Sequence, residues 1–82
     1  MAKVILQNDV ANKFADGVTE HEFTADNVRR LLRAMDERFP GIGAHLSEKT
    51  AVAIDGEIFQ DPFLETIESQ SEVYFLPMIE GG

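Results

Sequence analysis

The chain has 82 residues, no cysteine and a formal net charge of −8. At this length only about 60–65% of the surface exposed by the unfolded chain is buried on folding, so residues 1–82 are expected to form a single domain with a small core and no deep internal active site. Lack of cysteine excludes a disulfide framework, a thiolate zinc site and a cysteine nucleophile. The acidic balance argues against nucleic acid and anionic membrane surfaces as partners.

Val4-Ile5-Leu6, within the stretch from Lys3 to Asn8, is a short apolar run consistent with a buried strand. It is too short for a signal-peptide core or a bilayer span, so the chain is expected to be soluble and cytoplasmic, and a monomer when free. Asn8 to Gly17 is polar, closes on the turn signal Asp16-Gly17, and reads as a connection. Val18 to Phe23, with Thr19, Glu20, His21 and Glu22 between two apolar ends, reads as a second strand returning antiparallel to the first.

The strongest helix signal follows. Thr24 is the expected N-cap, and Asp26 complements the positive N-terminal end. Val28, Leu31, Leu32 and Met35 recur at i, i+3, i+4, i+7 and so share one stripe, while Arg29, Arg30, Arg33 and Asp36 fall on the other face. Phe39-Pro40-Gly41 stops the helix near Arg38.

Pro40 to Thr50 reads as irregular. Ala51 to Ile54 is a strand, Asp55-Gly56 a two-residue hairpin turn, and Glu57 to Gln60 the return strand, which Asp61-Pro62 breaks. Phe63 to Ile67 is expected to make one helical turn anchored by Phe63, Leu64 and Ile67. Glu72 to Ile79 is the most strand-like segment, and the continuous run Val73-Tyr74-Phe75-Leu76 suggests a central strand covered by the helix on one face. The order strand, strand, helix, strand, short strand, strand gives an α+β domain, a mixed sheet of four to five strands with one main helix across it.

Charge is unevenly distributed. Four of the seven basic residues are Arg29, Arg30, Arg33 and Arg38, and beyond Lys49 there are only acidic charges. This suits a solubilising surface, or an acidic end steered toward a basic partner groove. Glu20-His21-Glu22 has metal-site composition, but neighbouring strand residues point to opposite faces and cannot converge, so no metal site is expected. His45 is assigned no role, and no serine, histidine and carboxylate grouping suggests a hydrolase.

Asp55-Gly56-Glu57 and the segment Glu72-Val73-Tyr74-Phe75-Leu76-Pro77-Met78-Ile79-Glu80-Gly81-Gly82 resemble the sulfur-carrier family of the molybdopterin synthase small subunit (MoaD) and its thiamine-pathway relative (ThiS), which shares the β-grasp fold of ubiquitin. The specific motif is confined to the last eleven residues. Met78 stands where the molybdopterin carriers usually have a second proline, and Glu80 where a small residue is common. The resemblance implies a protein that is not itself an enzyme, though it counts as the small subunit of a synthase complex. Its reactive group is the carboxyl of Gly82, reached through Gly81 and Glu80 on a flexible tail of about residues 78–82. A partner ATP-dependent activating enzyme adenylates that carboxyl, sulfur displaces AMP, and the resulting thiocarboxylate supplies a sulfur-accepting synthase or hydrolase. The molybdopterin pathway is the first candidate. ATP and magnesium belong to the partner, and no cofactor is held permanently.

The tail also has a physical logic of its own. Glycines without Cβ thread a narrow channel, and an ionised carboxylate is a poor electrophile that requires activation. If Val73 and Phe75 face the helix, then Tyr74, Leu76 and Met78 face outward with Ile5 as a partner-binding patch; the opposite parity would exchange the two sets. Two other functions share these features. One is a protein modifier conjugated to lysines through Gly82, for which Lys3, Lys13 and Lys49 are potential acceptors. The other is a non-reactive β-grasp interaction domain.

Overall fold

The computed structural model describes residues 1–59 and 62–77, without the side chains of residues 49 and 77. The elements are β1 (Ala2–Ile5), α1 (Asn8–Phe14), β2 (Glu20–Phe23), α2 (Val28–Arg38), α3 (Ile42–Lys49), β3 (Thr50–Ile54), β4 (Glu57–Phe59) and β5 (Glu72–Pro77). The strands form one mixed sheet in the order β2-β1-β5-β3-β4. β5 is central, parallel to β1 (Ile5 opposite Tyr74) and antiparallel to β3 (Ala53 opposite Tyr74). β2 returns antiparallel to β1, as expected, but begins at Glu20 and not Val18.

All three helices feed the same apolar cluster, which also takes Val4, Phe23, Val52, Val73 and Phe75 from one face of the sheet. The α2 stripe behaves as its spacing dictates: Val28, Leu31 and Met35 are fully buried and Leu32 nearly so, while Arg29, Arg30, Arg33 and Asp36 are exposed. Each such burial contributes about 1.5–3 kcal/mol.

The α2 N-terminus corrects the expected cap. The N-cap is Asn27, whose Oδ1 accepts from Arg30 N at 2.8 Å. Thr24 lies three residues earlier, outside the helix, and Asp26 precedes the first turn, its carboxylate 3.3 Å from Arg30 Nη1. The remaining exposed donors of the first turn are met by a distant segment: Val28 N donates to Glu65 O at 3.2 Å and Arg29 N to Phe63 O at 3.0 Å. That segment is not the expected helical turn. It runs as a tight turn at Phe63-Leu64, closed by Glu65 N donating to Pro62 O at 2.9 Å, and a single bridge, Thr66 opposite Asn27, with the Phe63 and Glu65 carbonyls accepting from α2. Ile67 is a buried anchor and Phe63 a half-buried one, whereas Leu64 is 79% exposed and anchors nothing.

Two helices arise where connections were expected. In α1, Val10, Ala11 and Ala15 are buried and Phe14 half-buried, a stripe that the surrounding polar residues obscure. In α3, Ile42 and Leu46 are buried one turn apart. Its N-cap, Gly41, has no side chain to cap with, and Asp36 of α2 does so instead: Oδ1 accepts from Gly41 N at 3.1 Å and Gly43 N at 3.0 Å. A Cβ at Gly43 would lie 3.0 Å from that oxygen, so a larger residue there would have to push the Asp36 carboxylate by a few tenths of an ångström.

The hairpin is as expected. Ile54 pairs with Glu57 across Asp55 (φ 50°) and Gly56 (φ 87°), and two positive φ angles give the primed turn that matches strand twist. Gln60, the expected end of the return strand, lies outside the described residues.

Leu31→Ala is expected to lower unfolding free energy by about 2–5 kcal/mol, measured by urea titration. Asn27→Ala should cost about 0.5–2 kcal/mol, whereas Thr24→Ala should leave the midpoint unchanged.

Candidate functional site

The sheet face opposite the helices is open among the described residues. Strand alternation sends Val73 (0% exposed) and Phe75 (2%) into the core and leaves Tyr74 37% exposed and Leu76 half-buried on the open side. Of the two parities left open by the sequence, the one with Val73 and Phe75 inward is found. Pairing aligns one row across all five strands: Ile58 opposite Ala53, Ala53 opposite Tyr74, Tyr74 opposite Ile5, and Ile5 opposite Glu20. Leu76 opposite Ala51 forms a second, apolar row nearer the end of β5.

Of the sequence-derived patch, Tyr74, Leu76 and Ile5 are thus brought together. Met78, Glu80, Gly81 and Gly82 lie outside the described residues. Ala51, Ala53 and the 63%-exposed Ile58 complete the face and were not anticipated. The signal for them was present: a two-residue turn at Asp55-Gly56 forces Ala53 opposite Ile58, and the alternation follows.

β1 pairing ends at Ile5 opposite Tyr74, whereas β3 pairing continues to Thr50 opposite Pro77. The last residues of β5 therefore have a strand neighbour on one side only. On the other side Gln7 Nε2 donates to Phe75 O at 3.3 Å. By ladder alternation Pro77 would point its N–H to that same unpaired side, and proline has none to strand there. The segment that leads to Gly82 thus leaves from the central strand, beside the apolar rows.

No group of metal-ligating residues exists among the described residues. His21 is buried, its Nε2 2.7 Å from Val18 O and its ring against Phe39, while Glu20 and Glu22 emerge on the opposite face. His45 packs against the Phe14 ring. A hollow of about 500 Å³ between α2 and α3 contains one carboxylate, Asp36, which is already committed to the α3 N-terminus. None of these arrangements pairs a nucleophile with a base. No helix among the described residues is long and apolar enough to cross a membrane.

Comparison with known proteins agrees with this geometry. A chain in the crystal structure of the Amycolatopsis orientalis BexX/CysO complex superposes with a TM-score of 0.84 at 20% identity, covering 100% of both chains. Mycobacterium tuberculosis CysO, described as an antigen, gives 0.85 at 13% identity, covering 96% of this chain and all of that one. The small archaeal modifier protein 1 of Methanosarcina acetivorans gives 0.79 at 17% identity, over 99% and 95% of the two chains. No curated protein matches. At these identities the structures establish the fold, which is the expected β-grasp.

Leu76→Glu, on the open face, is expected to leave the chain folded by circular dichroism, whereas Val73→Glu should unfold it by burying an unpaired carboxylate. The ThiS family matches residues 6–82, nearly the whole length, and the chain belongs to that family.

Proposed function

We propose that the chain is a sulfur carrier whose open sheet face docks on an ATP-dependent activating enzyme while residues 78–82 carry the Gly82 carboxylate into that enzyme's nucleotide site. The observation that supports this most is an apolar face, Ile5, Tyr74, Leu76 and Ala51, set around the strand that leads directly to Gly81-Gly82. Membership of the ThiS family supports it as well.

The chemistry is acyl activation. The Gly82 carboxylate oxygen attacks the α-phosphorus of ATP and pyrophosphate leaves, giving an acyl adenylate. A sulfide-level nucleophile then attacks the carbonyl carbon; a C–S bond forms, the C–O bond to AMP breaks, and a thiocarboxylate results. The chain contributes no acid, base or metal ligand to these steps. It supplies a terminal carbonyl free of side-chain bulk and a surface that holds it in place. ATP and magnesium are the partner's, and a synthase or hydrolase with a sulfur-poor substrate takes the product. Transfer to a molybdopterin precursor is the first candidate for that substrate.

A second reading is favoured by the likeness to the small archaeal modifier protein 1. The same acyl adenylate, attacked by a lysine amine, gives an amide, and the chain is then a protein modifier.

Intact mass of the chain isolated from its native cells is expected to show replacement of one oxygen by sulfur, and deletion of Gly82 to abolish that species. Diglycine remnants on cellular lysines, without the sulfur form, would establish the modifier instead. Full function after deletion of Gly82 would leave only a docking domain. Leu76→Glu should abolish binding to the activating enzyme without unfolding the chain.

A further inference from the structure

The open face is graded in charge as well as polarity. Glu72, Lys3 and Glu22 stand in register across β5, β1 and β2, two residues along the strands from the Tyr74 row. Glu20 ends that middle row beside Ile5. All three glutamates are exposed, and Lys3, half-buried between two of them, is the one basic residue on this face among the described residues. Glu72 Oε1 accepts from Tyr74 Oη at 3.3 Å, which joins the acidic rim to the apolar rows.

The arginines are placed elsewhere. Arg29, Arg30 and Arg33 project from the side of α2 turned away from the sheet, among Asp26, Asp36 and Glu37, with Arg30 paired to Asp26. Arg38 lies over the rings of Phe23 and Phe39. The arginines therefore lie on the helix side, where Arg30 pairs with Asp26, and the sheet face carries Glu20, Glu22 and Glu72 against Lys3 alone among the described residues.

We propose that Glu20, Glu22 and Glu72 form an electrostatic docking rim that selects and orients an activating enzyme bearing basic groups beside an apolar contact, an inference that rests on the sulfur-carrier reading. Two strand residues separate Glu22 and Glu72 from the Tyr74 row, which Glu20 itself flanks at the β2 edge, so the partner's basic groups lie about 6.5–7 Å beyond its apolar centre and along its β2 side. The gradient also has a direction. The apolar end, at Leu76, is the end from which the tail departs, and the acidic end is remote from it. A partner that matches both ends has one productive orientation, with its nucleotide site toward Gly82. Rim charges of this kind act chiefly on association rate and register, and salt screens them over about 8 Å at physiological ionic strength.

The test is ATP–pyrophosphate exchange by the host's purified adenylating enzyme, with the carrier as the varied substrate, at about 50 mM and about 300 mM salt. Glu20→Lys with Glu22→Lys is expected to raise KM for the carrier about tenfold or more at low salt, with kcat within about twofold, and to flatten the salt dependence seen with the unaltered chain. The milder pair Glu20→Gln with Glu22→Gln should give an intermediate rise, which protects the test if the lysine pair folds poorly. Glu37→Lys with Glu48→Lys makes the same change in net charge from the outer helix surfaces and should leave KM within about twofold. Equal rises in the rim and helix pairs, or no rise in the rim pairs, would show that the rim is only a solvated strand edge. Absence of exchange with the unaltered chain would instead overturn the sulfur-carrier reading itself.

Discussion

Strand β5 is hydrogen-bonded on both sides, parallel to β1 and antiparallel to β3. This double pairing locks its register, and a slip of one residue would drive Tyr74 and Leu76 into the core and expel Val73 and Phe75. The core thus specifies the open face. The apolar contacts of α2 with one side of the sheet determine which side chains stand on the other. The same strand precedes the terminal glycines in the chain, so under the proposed function the strand that the fold fixes most firmly is also the one that leads to the reactive carboxyl. Where β1 ends, Gln7 and Pro77 deal with the loose edge, one by donating to Phe75 O and the other by lacking an N–H.

Several polar groups among the described residues have structural work. Asp36 caps α3, Asn27 caps α2, and Asp55 extends the sheet by accepting from Glu72 N at 2.9 Å. His21, the one buried histidine, is bonded to Val18 O. This matches the division of labour proposed above, in which nucleotide, magnesium and proton transfer belong to a partner and this chain presents a carbonyl at a fixed distance from a recognisable face. Of the Arg-rich α2, prominent in the sequence, Arg30 pairs with Asp26 and Arg38 lies over the rings of Phe23 and Phe39.

Legibility from sequence followed the range of the interactions. The α2 stripe and the Asp55-Gly56 hairpin are local patterns, and they were readable in advance, whereas alternation left two parities open for β5, because a continuous apolar run does not mark its inner face. The caps were not readable. Thr24 is a good capping residue by type, but the donors of α2 are met by Asn27 and by carbonyls of Phe63 and Glu65, more than thirty residues downstream. Helix α3 was hidden because Pro40-Gly41 punctuates the chain and only Ile42 and Leu46 mark its buried side. Its cap is a side chain from the preceding helix. Helix α1 was hidden by its own asparagines, aspartate and lysine, although Val10 with Phe14 and Ala11 with Ala15 are one-turn pairs. On the site, Tyr74, Leu76 and Ile5 were accessible from alternation as one of the two parities. Ala51, Ala53 and Ile58 required the strand order, which no local pattern encodes.

The central claim is that the open sheet face, and not the helix side, meets the activating enzyme. Amide chemical shifts of the isotopically labelled chain, titrated with that enzyme, test it most directly. Perturbations on the open face and its rim, at Ile5, Glu20, Glu22, Ala51, Ala53, Glu72, Tyr74, Leu76 and the residues up to Gly82, are the result the account predicts. A footprint on Arg29, Arg33 and the α2–α3 hollow, with the sheet face undisturbed, would contradict it.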